Sequence, residues 1–189
     1  LDEAIRVNKA RRLRAAIGGQ SYMICRPGVA PDSQLTLRMI HFDRQRTPND
    51  LLAGINRVFS ASERKIRSLE DNWRAEDGAP VFTVEGRYRS RGWTEWTQGF
   101  QFGSALLQFD ATGDASFLDL GRSRTLERMA PHLTHAGVHD HGFNNVSTYG
   151  NLLRLMVEGR ITENTWERRF YELALEVSGA VQASRWTAL

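Results

Sequence analysis

From Thr47 onward, apolar positions recur at helical spacing. Leu51, Leu52, Ile55, Val58, Phe59, Ile66, Leu69 and Trp73 fall on one stripe, as expected of an amphipathic helix with one face on a core. Thr47 suits the N-cap, Pro48 the first helical position, and Asp50 places an acid in the first turn. Asp77-Gly78-Ala79-Pro80 should end this helix. Val81 to Val84 and Tyr88 then predict a short strand or extended arm that turns at Gly86.

Four further helices are predicted. The first runs from about Glu95 to Asp110, with Phe100, Leu106, Leu107 and Phe109 as its apolar positions and Gly113 closing it. Asp114 should cap the second, which carries Phe117, Leu126, Met129 and Leu133. A His- and Gly-rich loop precedes the third, marked by Val146, Leu152, Leu153, Leu155 and Met156 and ended by Gly159. Thr162 should cap the last, where Trp166, Phe170, Leu173, Ala174, Val177 and Val181 repeat at three- and four-residue steps. Short connections make neighbouring helices antiparallel. The fold class expected is all-α, built of stacked helical hairpins over residues 48–189. Residues 1–47 form a poorly defined N-terminal segment: after a helix-like stretch from Asp2 to Ile17, the pair Gly18-Gly19 and then Pro27, Gly28 and Pro31 interrupt any period.

Composition narrows the function classes. With 41% hydrophobic and 25% charged residues in 189, the chain is globular and long enough for a real core. No run approaches the ~20 apolar residues of a membrane span, and the first residues do not read as a secretory signal. A cytoplasmic location is expected, or a periplasmic one if a leader is removed. A net charge of +3 with scattered arginines argues against a nucleic-acid partner. The single cysteine, Cys25, excludes an intramolecular disulfide and a thiolate metal cage. There is no Gly-x-Ser-x-Gly, Walker loop or Gly-x-Gly-x-x-Gly.

Two constellations could carry chemistry. In Trp93-Thr94-Glu95-Trp96-Thr97-Gln98-Gly99-Phe100-Gln101-Phe102-Gly103, two tryptophans sit at a loop-to-helix junction and two glycines lie inside a helix. An interior helical glycine costs about 1 kcal/mol against alanine, so Gly99 and Gly103 point to close approach of another helix or of a ligand. Exposed indoles suit the apolar faces of sugar rings; alternatively, Trp93 and Trp96 are core residues and the glycines serve helix packing. In the second constellation, His132, His135, His139 and His141, four of the five histidines, fall within ten residues around Asp140, followed by Gly142-Phe143-Asn144-Asn145. Asp140 between two imidazoles suits a general acid or base, and Asn144 suits either sugar hydroxyls or helix capping. A zinc or iron site on His139, Asp140 and His141 is the rival, weakened because consecutive side chains rarely converge on one ion.

Trp96-Thr97-Gln98-Gly99-Phe100, then Gly103, Leu106-Leu107 and Thr112-Gly113-Asp114, resembles the first active-face hairpin of the unsaturated glucuronyl and unsaturated rhamnogalacturonyl hydrolases. His139-Asp140-His141-Gly142-Phe143 resembles that family's His-Asp-x-Gly-Phe motif, in the same order. The resemblance covers roughly residues 90 to 155. It implies an (α/α)6 toroid, of which this chain would hold about half as an N-terminal portion. It also implies a glycoside hydrolase of polysaccharide degradation. Such an enzyme acts on oligosaccharides ending in an unsaturated uronic acid by hydrating the C4=C5 bond, without cofactor or metal. On this basis Asp140 would be catalytic, and Trp96, His139, Trp93, Gln98, His141 and Asn144 would bind substrate. The family's second aspartate has no counterpart before Leu189, so the alternative is a non-catalytic, carbohydrate-binding helical protein. An uncovered half-toroid face would also invite self-association.

Overall fold

The computed structural model describes residues 45–92 and 95–186. The chain divides into two compact units, Leu1–Arg57 and Val58–Leu189. The division falls within the first described helix, α1 (Pro48–Asn72), ten residues beyond the boundary that composition suggests.

In the first unit, the start of α1 is organised by an acid. Asp50 accepts hydrogen bonds from the Thr47 backbone N–H at 2.7 Å and hydroxyl at 2.9 Å. These bonds hold its carboxyl below the usual carboxylate range. Thr47 N–H thus donates to the side chain at N3, one half of a capping box with Thr47 at the N-cap, as expected. The helix-like stretch Asp2 to Ile17 lies outside the described residues.

The second unit is mostly helical, with one small sheet. It holds the remainder of α1, a β-hairpin of β1 (Pro80–Val84) and β2 (Arg87–Ser90), then α2 (Thr97–Thr112) and α3 (Ala115–Arg128). A 3-10 turn at Ala130–Leu133 leads to a π-helix, Gly142–Gly150, that runs directly into α4 (Asn151–Val157), and α5 is Thr165–Ala183. The hairpin pairs Val84 with Arg87 and Phe82 with Arg89. Its two-residue turn has φ +50° at Glu85 and +75° at Gly86, the left-handed pair that matches strand twist.

The boundaries have local causes. Gly113, at φ 78°, ends α2 by returning its N–H to Phe109 O. One residue later Asp114 caps α3, accepting from Ser116 N at 2.9 Å; bonds from Ser116 lower its carboxyl pKa. Helix α3 stops before Pro131 and does not reach Leu133 as an α-helix, since proline lacks the N–H to continue it. The cap of α5 is Asn164, which accepts from the N–H groups of Trp166 and Glu167 at 3.0 and 3.1 Å. Thr162, expected there, lies two residues too early to reach those donors.

One core joins these helices. Phe102, Ala105, Leu106 and Phe109 of α2 meet Phe117 of α3, Tyr149 of the π-helix, Leu152, Leu155 and Met156 of α4, and Tyr171 and Ala174 of α5. Phe100 and Leu107, apolar but on the other side of α2, are exposed. Gly121 lets α3 approach α2: a Cβ there would stand 2.6 Å from Leu106 Cδ2. Polar links close the periphery. Asp110, whose side chain is only 10% exposed, pairs with Arg154 at 3.0 Å and Arg160 at 3.3 Å. On α1, Arg67 lies 4.3 Å over the Phe117 ring, and Glu70 pairs with Arg124 of α3.

Candidate functional site

The two motifs meet at the N-terminal end of α2. Gly99 and Gly103 lie four residues apart, on the face of α2 that touches the π-helix. A Cβ on Gly99 would fall 2.2 Å from Phe143 O and 2.4 Å from Asn144 Cα; one on Gly103 would fall 2.5 Å from Ser147 O. These contacts are backbone to side-chain position, too tight for any residue but glycine. Of the two explanations for the glycines, helix approach is what the structure contains.

Polar side chains lock this contact. Asn144 Oδ1 accepts from Gly99 N–H at 3.0 Å. Its amide Nδ2 donates to His132 Nδ1 at 3.1 Å, and His132 Nε2–H donates to Gln98 Oε1 at 2.7 Å. This order fixes the His132 tautomer, because only the Nε2–H form can accept at Nδ1 while donating to an amide oxygen. A second chain runs beside it. Asn145 Nδ2 donates to His132 O at 3.2 Å and to Ser178 Oγ at 2.9 Å. The Ser178 hydroxyl donates to His141 Nδ1 at 2.9 Å, and His141 Nε2–H donates to His135 O at 2.9 Å. His132 is 2% exposed. Burial, then the nearby His135 and His141, push its pKa down to about 4, so the ring is neutral near pH 7.

The expected site residues therefore separate into two groups. Gln98, His141 and Asn144 are buried and bonded to the protein. Both ring nitrogens of His141 are engaged, leaving neither for a sugar hydroxyl. Trp96, His139 and Asp140 border solvent. Trp96 is 41% exposed and forms a triangle with Phe100 and Phe143, its ring centroids 5.5 and 5.6 Å from theirs. Phe100 and Phe143 are themselves 5.5 Å apart. His139 is 84% exposed by side chain and Asp140 only 17%, with Nε2 and Oδ1 separated by 3.5 Å. Asp140 O accepts from Asn144 N–H at 3.1 Å, so the Asp140 turn rests on the residue that clamps α2. Trp93 lies outside the described residues.

The expected loop is shorter than its composition suggests: Asn144 and Asn145 are already helical. Among the described residues, no group of three His, Cys, Asp or Glu side chains is placed to hold a metal ion. His132 and Ser178, which carry the two polar chains, were not expected to do so. Histidine density marked the region of His132; nothing in the pattern of α5 marks Ser178. No described helix is long and apolar enough to cross a membrane. The chain matches no protein-family model, no curated protein and no solved structure.

Proposed function

We propose that the protein processes carbohydrate, with Asp140 as the acid–base group of an unsaturated uronyl hydrolase. One observation carries this reading. A mostly buried carboxylate with an imidazole at 3.5 Å sits three residues from Phe143, one corner of an exposed three-ring aromatic platform. Aromatic faces hold the apolar face of a sugar ring, and a carboxyl group beside it can move a proton. Asp140 in its acid form would donate a proton to C4 of the C4=C5 enol ether. The carboxylate so formed would take a proton from the water adding at C5. The product is a hemiketal, which releases the sugar at the other side of the linkage. Trp96, Phe100 and Phe143 would hold the ring and His139 its polar edge; Gln98, His141 and Asn144 would position the two segments without touching the reacting sugar.

The hairpin pairs support a partial (α/α)6 toroid. Helices α2 and α3 are joined through Gly113-Asp114 alone, and α4 and α5 through seven residues, 158–164. Such connections favour antiparallel neighbours.

The test uses protein from the complete reading frame and an unsaturated uronyl disaccharide, following loss of the ultraviolet absorbance of the double bond. Asp140→Asn keeps size and shape but cannot exchange a proton, so turnover should fall roughly a hundredfold or more. Full turnover in Asp140→Asn, or none in the unaltered protein, would refute the assignment. The exposed aromatic triangle favours one second reading, sugar binding without turnover; it predicts saturable binding of the disaccharide with constant absorbance.

A further inference from the structure

A cavity of about 110 Å³ opens where α1 ends, α2 begins and α3 ends, with Glu70, Trp73, Arg74, Gln98, Arg124 and Arg128 in its wall. A water needs only about 10–15 Å³ of such space, so the cavity has room for several waters or one small polar molecule. Trp96, His139 and Asp140 are not part of it.

Its polar groups are unequally committed. Arg124 is already paired on both sides: its Nε donates to Glu70 Oε1 at 2.8 Å, its Nη2 reaches the same oxygen, and its Nη1 holds Glu127 at 2.6 Å. Gln98 is 9% exposed and its Oε1 is taken by His132. What it can offer the cavity is its amide N–H2, which has no partner among the described residues. Arg128 makes no ion pair among those residues either, and Arg74 only a loose, exposed one with Glu76 at 3.9 Å. The uncommitted donors are thus one buried amide and two guanidinium groups. Against them stand two acceptors, the Oε2 of Glu70 and the buried Oε1 of Gln101, which has no partner among the described residues. Trp73 also lines the cavity, its indole fixed by the bond from Nε1–H to Gly78 O at 2.8 Å.

A bare inorganic anion would answer the guanidinium groups but has no hydroxyl to donate to Glu70 Oε2 or Gln101 Oε1. A neutral sugar would leave the guanidinium charges unanswered. A ring with both a carboxylate and hydroxyls uses the whole set: the carboxylate accepts from arginine, a hydroxyl donates to Glu70, and the ring face lies on the indole. We propose that this cavity binds a hexuronate unit, apart from Asp140 and independently of any turnover there.

Titration with D-glucuronate, followed by NMR of the Trp73 indole N–H and the Gln98 side-chain amide, tests this. D-glucuronate is saturated, so hydration at Asp140 cannot consume it, and this result is separate from that of the disaccharide assay. Both signals should shift together with a dissociation constant on the order of 1 mM, and D-glucose and inorganic sulfate should each bind about tenfold more weakly or worse. Arg128→Ala, an exposed substitution, should weaken D-glucuronate by about tenfold while leaving the melting temperature unchanged. No shift up to about 50 mM, far above that constant, would overturn the proposal. So would equal affinity for sulfate, or unaltered binding by folded Arg128→Ala.

Discussion

Replacing Gly99 by alanine tests the contact on which the candidate site rests. The new Cβ would stand 2.2 Å from Phe143 O, 2.4 Å from Asn144 Cα and 2.8 Å from Asn144 O. All three atoms are backbone, so no side chain can swing aside, and α2 and the π-helix must part by about 1 Å to reach ordinary contact distance. Overpacking of this kind costs about 1–3 kcal/mol. The same displacement stretches the bond from Gly99 N–H to Asn144 Oδ1 beyond its 3.0 Å, and a buried polar group left unpaired costs about 1–3 kcal/mol. Better helix propensity returns about 1 kcal/mol. The net loss is about 3 kcal/mol, or roughly 6–12 °C in Tm for a domain of this size. Gly179→Ala is the control, because a Cβ on that α5 glycine meets nothing within 4 Å. It should stabilise by about 0.5–1 kcal/mol through propensity alone. Urea and thermal melts of both variants read the difference. A Gly99→Ala protein as stable as Gly179→Ala would refute the close approach and, with it, the juxtaposition of the two motifs.

Three further outcomes follow. His132 has a folded-state pKa of about 4, below the 6.5 of an unperturbed histidine, so its contribution is complete above pH 6.5 and is lost as pH falls towards 4. The unaltered protein should lose about 3 kcal/mol more than His132→Gln over that interval, and parallel pH–stability curves would contradict the buried neutral ring. Asn164→Ala removes the acceptor of two N–H groups and should cost about 1 kcal/mol in urea unfolding; no change would mean that the cap is not formed in solution. Asp140→Asn should melt within about 1 kcal/mol of the unaltered protein, because no hydrogen bond to its carboxylate is present among the described residues; a larger loss would assign Asp140 a structural role.

Much of the helical layout was legible because its signals are local. Gly113 and Asp114 mark a stop and a start in consecutive residues, and Glu85-Gly86 supplies a hairpin turn. The glycine pair Gly99 and Gly103 announced a close approach, and only the identity of the approaching group was open. The candidate site was less legible for a physical reason. Polar residues that satisfy one another, such as Gln98, His132 and Asn144, have the same composition as polar residues awaiting a ligand. Burial separates the two cases, and burial depends on neighbours distant in the chain: Ser178 lies 37 residues from His141. Apolar identity misled in the other direction. Phe100 and Phe143 are platform residues, exposed by 43% and 50%, although their type alone suggests core.

The π-helix gives the site a dependence on chain length that no single side chain carries. A π turn closes from residue i to i+5, one residue more than an α turn. Gly142–Gly150 therefore holds extra chain between Asp140 and the core residues Leu152 and Leu155. With more residues per turn, each residue of the π segment turns the chain by less than the ~100° of an α-helix. A homologous chain one residue shorter between Phe143 and Tyr149 that kept this winding would keep its core but aim Phe143 and the Asp140 turn about 80° away from Trp96. Insertions and deletions in this segment thus act as a rotational setting, by which related sequences could acquire or lose the site while every residue of both motifs stays in place.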